Sequence, residues 1–310
     1  MALTIFWFII GLVSLIGGAE LLVRSASKLA ASVGISKLVI GLTVVAFGTS
    51  APELAVGIDA MLQGKSDIML GNVVGSNLAN TMLILGLGAI LTPLAVHRNL
   101  LRFDLPVMIG SVLLLYALMW NGVLTRLNAM VLLMGLAAYL FTLFRLSGSK
   151  GVKVPPSPGD LPVWQTVALV IAGLVLLIGG ARALVFSASE IAVQAGISEL
   201  VIGLTMVAIG TSLPEVVITV AAALRGERDM LVGGIVGSNI LNILAVVSIS
   251  GLFAETTTVS DTLLRVDMVL LTVVSLICIP IFVTRKTVGR AEGAFLLLSY
   301  VGYVTWLFVG

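Results

Sequence analysis

The sequence predicts an all-α membrane protein of ten transmembrane helices, built as two inverted five-helix repeats in which helices 2, 3, 7 and 8 are broken. Three observations predict it. The chain is 59% apolar and only 10% charged, with a mean hydropathy of +1.19, whereas soluble domains carry roughly 25% charged residues. The stretch LVIGLTVVAFGTSAPE at 38–53 returns as LVIGLTMVAIGTSLPE at 200–215, identical at 13 of 16 positions at an offset of 162. A repeat of this quality organises the fold and is read before any local signal. Between the copies lies the one linker rich in turn residues, SGSKGVKVPPSPGDLP at 147–162.

A bilayer core of about 30 Å needs about 20 apolar residues per helix. Such runs fall at 4–23, 37–62, 67–91, 103–120, 127–146, 163–184, 199–224, 229–252, 263–284 and 291–309. The opening MALTIFWFIIGLVSLIGG lacks the basic flank of a signal peptide and recurs as the span holding Gly179-Gly180, so it is read as a retained helix. Trp7, Trp120, Trp164 and Trp306 all fall at or near span ends, where an interfacial aromatic belt places them.

The linker divides the chain into 1–146 and 163–310, with five spans in each half. An odd number of spans makes the second half enter from the opposite face, which inverts the repeat about an axis in the membrane plane. Thirteen Lys and Arg residues flank the spans on one side, and four, Lys65, Arg126, Arg182 and Arg265, on the side of the termini. By the positive-inside rule the basic side is cytoplasmic and both termini lie outside. Few external loops and no organellar presequence suit a prokaryotic plasma (inner) membrane.

Composition also excludes. The sequence pI is near 8.8, but the basic residues are scattered between apolar runs rather than gathered in a stripe, which argues against nucleic acid. Cys278 is the single cysteine and has no partner for an internal disulfide. His97, the one histidine, falls in a cytoplasmic loop, so no intramembrane nucleophile and base suggest an enzyme.

The repeated stretch carries the chemistry. Pro52 has no N–H for the Gly48 carbonyl and disfavours helical geometry at Ala51, so Gly48-Thr49-Ser50-Ala51-Pro52 interrupts the second span. Thr211-Ser212-Leu213-Pro214 repeats the device in the seventh. Freed carbonyls at a half-helix end are cation ligands, tolerated only where they line a polar cavity. Glu53 lies 16 residues after Lys37 and 12 before Lys65, about 24 and 18 Å along a helix, hence near the midplane. Glu215 takes the mirrored position. Two intramembrane carboxylates repel and are costly unless a cation or proton compensates them. A purely structural alternative makes them protonated acids bonded to backbone.

A second motif follows each first one. DIMLGNVVGSNLAN at 67–80 matches DMLVGGIVGSNILN at 229–242 in seven of fourteen positions. Gly75 and Gly237 permit close backbone approach or a break, and Ser76 with Asn80, like Ser238 with Asn242, share a helical face. These hydroxyls and amides suit a hard cation such as calcium or sodium, which prefers oxygen ligands. Helix repair by Thr49, Ser50, Thr211 and Ser212, and interhelical packing by Ser76, Ser238, Asn80 and Asn242, are the bland alternatives. Asn77 and Asn239 fit packing as well as ion contact. Asp104 and Asp267 at span ends read as solvated interface residues, Glu20 and its repeat partner Arg182 as snorkelling charges, and Asp59 as a vestibule charge.

The duplicated GTS-x-PE and GSN-x-x-N motifs resemble the two alpha-repeats of the calcium/cation antiporter superfamily, on the prokaryotic sodium/calcium exchanger side, over the whole chain. The resemblance implies ion ligands at Glu53 and Glu215, oxygens from Thr49, Ser50, Ser76, Thr211, Ser212 and Ser238, backbone carbonyls of Ala46 and Ala208, and side chains of Asn80 and Asn242. It implies calcium and sodium as bound, transported ions, the lipid bilayer as surroundings, no further cofactor, and motion of the first and sixth spans against the rest. Many members carry Asp at the position of Asn242, so this chain lacks a possible third carboxylate. Calcium/proton exchange through the same carboxylates, and more remotely a passive channel, are the alternatives to sodium/calcium exchange.

Overall fold

Helices form along the apolar runs, and Gly34, Gly64, Gly122 and Gly226 turn the chain between them at φ of 69 to 77°, a region costly for any residue with a Cβ. The computed structural model describes residues 2–147, 161–194 and 208–309. Most of the expected linker, 148–160, and the start of the expected seventh span, 199–207, lie outside the described residues.

The first half comprises α1 (Ala2–Val33), α2 (Lys37–Thr49), α3 (Ala51–Leu62), α4 (Ser66–Leu91), strand β1 (Leu94–Ala95), α5 (Leu100–Leu118), β2 (Val123–Thr125) and α6 (Arg126–Ser147). The second comprises α7 (Val163–Gln194), α8 (Ala208–Thr211), α9 (Leu213–Leu224), α10 (Arg228–Gly251), β3 (Thr256–Thr258), α11 (Leu263–Thr284), β4 (Thr287–Val288) and α12 (Arg290–Val309). Among the described residues seven helices are long and apolar enough to cross a membrane, and the bent pair α2 and α3 makes an eighth. The chain is thus a multi-pass membrane protein. Of the ten expected spans, the seventh is described only as α8 and α9, and the tenth corresponds to α12.

Burial separates centre from rim. The apolar windows of α10 and α4 are 94% and 78% buried, against 28% for both α1 and α7, so α4 and α10 form the middle while α1 and α7 lie largely on the rim. All four tryptophans are exposed, as an interfacial belt requires, while Cys278 is buried in α11.

Two expectations are corrected and a third feature is added. Spans 1 and 6 run for 32 residues each, past the charges that end their apolar runs; at 1.5 Å per residue this is about 48 Å, which must tilt or protrude. Spans 3 and 8 are not broken: α4 and α10 are continuous. Each accommodates its asparagine instead in a π-helical segment, Ala79–Ile84 and Asn242–Val247, a widened turn common at functional sites. The third is the pairing of connecting segments into short antiparallel ribbons, β1 with β4 and β2 with β3. Each ribbon joins the two halves, and sequence pattern alone gave no sign of them.

α1 and α7 pack backbone to backbone. A Cβ at Gly18 would lie 2.4 Å from the Leu177 nitrogen, and one at Gly180 2.4 Å from that of Leu15. Gly11 and Gly173 make similar approaches. Small residues drive such association in lipid, where apolar surface alone gives no advantage.

Candidate functional site

Helix α2 stops at Thr49 because Pro52 cannot continue the ladder; Ser50 takes φ −79° and ψ 0°, and α3 restarts 43° off axis with Pro52 in its first turn. The second half copies this: Ser212 has φ −91° and ψ 0° and precedes α9, with Pro214 in the first turn. Proline suits a helix start, where no N–H is needed. Glu53 and Glu215 therefore sit in the first turns of α3 and α9, at the positive ends of the half-helix dipoles.

Both acids are enclosed, Glu53 0% and Glu215 6% exposed. Neither oxygen of either carboxylate has a hydrogen-bond partner. The two lie close enough to interact by charge, with the Ser76 hydroxyl beside Glu53 and the Thr49 hydroxyl beside Glu215, both outside hydrogen-bond geometry. Leaving such groups unpaired costs several kcal/mol, roughly, for a charged group, so the arrangement asks for an occupant of positive charge.

The neutral oxygens come from all four central elements. Thr49 Oγ1 lies 3.2 Å from Ser238 Oγ on α10 and donates to the Ala46 carbonyl at 3.2 Å. Ser50 Oγ is buried and unpartnered, as are both polar atoms of the Asn80 side chain and Oδ1 of Asn242. Ser76, Ser212 and Ser238 are buried and Thr211 half-buried. The structure thus brings Thr49, Glu53, Ser76, Glu215 and Ser238 together. The Ala46 carbonyl accepts from Ser50 N–H at 3.0 Å as well as from Thr49, and its second lone pair is available to a further partner. Ala208 opens α8, and the turn before it lies outside the described residues. Among the described residues no three His, Cys, Asp or Glu side chains converge, so an ion here would be held by two carboxylates and neutral oxygens.

Between α4 and α10 runs an amide network that sequence reasoning left undecided. Asn242 Nδ2 donates to Asn77 Oδ1 at 3.1 Å, Asn77 Nδ2 to the Asn239 carbonyl at 3.3 Å, and Asn239 Nδ2 to Thr81 Oγ1 at 2.8 Å. It stitches α4 to α10. Asn77 and Asn239 thus join the two helices, while Asn239 Oδ1 is left without a hydrogen-bond partner.

The aspartates at span starts are a further correction. Asp104 is 2% exposed and accepts from Tyr139 OH at 3.3 Å, and Asp267 is half-buried and accepts from Tyr303 OH at 3.2 Å. Tyrosines recurring at matching places in both halves were the missed signal. A cavity of about 340 Å³ adjoins the site, lined by Pro52, Val56, Ala181, Arg182, Gly210 and Thr211 among others.

The family model for sodium/calcium exchanger protein matches residues 3–145 and again 165–309. The chain is 34% identical to the sodium/calcium exchanger MaX1 of Methanosarcina acetivorans over 97% of each chain. It is also 34% identical to the inner membrane protein YrbG of Escherichia coli over 96% of this chain and 94% of that one. Solved structures of the sodium-calcium exchanger NCX_Mj, one soaked with sodium and strontium, superpose with a TM-score of 0.87 at 31% identity, covering 98% of both chains. On these grounds the chain belongs to the sodium/calcium exchanger family.

Proposed function

We propose that the protein is a secondary active transporter that exchanges calcium for sodium across a prokaryotic plasma membrane, by alternating access to the site between Glu53 and Glu215. The observation that carries this reading is the pair of buried carboxylates, one from each half, whose four oxygens have no hydrogen-bond partner. One calcium ion compensates both charges, and several sodium ions do the same in turn. Ser50, Thr49, Ser76, Thr211, Ser212, Ser238, Asn80 and Asn242 supply further oxygens. An empty site leaves bare buried charge, which opposes return without cargo and favours exchange over leak.

The architecture we assign is ten spans in two inverted halves, 1–146 and 163–310, with both termini outside. It is supported by contacts between the two halves among residues assigned to the basic side: Lys37 with Glu227 at 2.7 Å, His97 with Asp229 at 2.8 Å, and the ribbon of β1 with β4. The cavity beside Pro52 and Thr211 then leads from the site toward the outer face. For three sodium ions per calcium, a tenfold sodium gradient supplies about 4 kcal/mol. One net charge entering at 100 mV adds about 2.3 kcal/mol. Together these sustain a calcium ratio above about ten thousandfold.

The test is radiolabelled calcium uptake into vesicles holding the purified protein, with sodium inside, with only a pH gradient, and with neither. Uptake that requires internal sodium supports the reading. Uptake driven by the pH gradient alone assigns proton exchange at the same carboxylates, and equal uptake in all three conditions replaces exchange by a channel.

A further inference from the structure

Two charges have no part in the ion site, yet each sits where a moving helix meets the centre. Glu20 of α1 binds Arg225, in the turn after α9: Arg225 Nε donates to Oε2 at 2.6 Å and Nη2 to Oε1. Arg24 adds a contact to Oε1 at 2.9 Å. This ties α1, and through the glycine contacts α7, to the centre on the face that carries Lys37 and His97. The repeat offset of 162 carries Glu20 onto Arg182 and Gln63 onto Arg225. The same two places therefore recur at the opposite face, with the sign on the long helix reversed. The partner sign is reversed too, because Gln63 Nε2 holds Asp59 Oδ2 at 2.7 Å.

Here, however, the two sides stand apart. Arg182 lines the 340 Å³ cavity across from Pro52 and Val56, and among the described residues it forms no ion pair. Asp59 lies one turn beyond Val56 on the same face of α3 and is exposed. One ion pair is made on the basic side, and its counterpart is open across a cavity.

We propose that Arg182 and Asp59 form a second latch, which closes over the outer cavity when the Glu20–Arg225 latch parts, so that the two ion pairs alternate with the direction of access. The proposal rests on the alternating-access reading above. In the cavity-closed state the guanidinium of Arg182 meets the Asp59 carboxylate and the Gln63 amide, as Arg225 now meets Glu20. Because these pairs are partly exposed, each biases the balance of states by only about two- to fivefold. That is enough to tune turnover without locking the carrier.

The experiment uses Val56→Cys in the reconstituted full chain as a reporter of the open cavity, with buried Cys278 setting the background for a membrane-impermeant thiol reagent. Glu20→Gln should slow labelling about two- to fivefold, and adding Asp59→Asn should restore it. In flux assays Arg182→Asp should slow exchange, and Arg182→Asp combined with Asp59→Arg should recover it. Labelling that Glu20→Gln leaves unchanged, or no recovery in the double variant, overturns the latch while sodium-driven calcium flux of the unaltered protein continues. Absence of any driven flux in the unaltered protein overturns the transport reading itself, which is a separate result.

Discussion

Thr49 at the end of α2 and Ser238 on α10 stand with their hydroxyls 3.2 Å apart, so the break in one half is pinned to the unbroken helix of the other beside the two carboxylates. On the proposed reading, a hydroxyl that serves both as an interhelical bond and as an ion-facing oxygen couples occupancy of the site to the register of the halves. Ser238→Ala should keep the fold and raise the calcium concentration for half-maximal uptake about three- to tenfold, from loss of one oxygen and one hydrogen bond of about 0.5–1.5 kcal/mol. Initial-rate uptake against calcium concentration reads this, and an unchanged curve would remove Ser238 from the site.

Glu53→Gln and Glu215→Gln should each abolish exchange while leaving expression and detergent-solubilised size unchanged. A neutral amide removes an uncompensated buried charge, so neither variant should unfold. Wild-type flux in either variant would dissolve the proposed site.

The backbone contact of α1 with α7 predicts a contrast between adjacent glycines. Gly180→Val should lower the thermal midpoint in detergent by several degrees, since even a Cβ there meets Leu15 N at 2.4 Å and overpacking costs about 1–3 kcal/mol. Gly179→Ala should be neutral, because nothing described lies within 4 Å of its Cβ position. Equal midpoints for the two variants would mean that the helices do not meet as described.

Tyr139→Phe should destabilise by about 1–3 kcal/mol, the cost of leaving the buried Asp104 acceptor unpaired, with transport per folded molecule retained. Thermal unfolding followed by tryptophan emission, alongside uptake normalised to folded protein, separates the two effects. Lost transport at full stability would place Asp104 in the ion path instead.

What the sequence made legible is what proline, charge and repetition dictate. The break at Ser50 follows from Pro52, the enclosure of Glu53 from its place in an apolar run, and the second break from the copied motif. Asp104 was misread because a charge at a span end is ordinarily solvated; only packing brings Tyr139 over it. The continuity of α4 and α10 was hidden because Gly75 and Gly237 look like breaks. Gly237 in fact lets α10 approach α2, its Cβ position 2.7 Å from Leu42 Cα, while Asn80 and Asn242 sit in widened turns. The extra turns of α1 and α7 escaped because polar residues there, Ser25 and Ser187, are buried rather than solvated. The ribbons depend on pairing across more than a hundred residues, which no local pattern reports.

Those two ribbons have a consequence for how the polypeptide tolerates being cut. Val123–Thr125 is zipped to Thr256–Thr258, and Leu94–Ala95 to Thr287–Val288, so each membrane face carries its own stitch between the fragments on either side of 148–160. Nicked there by a protease, or produced as two separately translated pieces, the protein should remain one particle, held by seams that the peptide backbone of the connector does not supply.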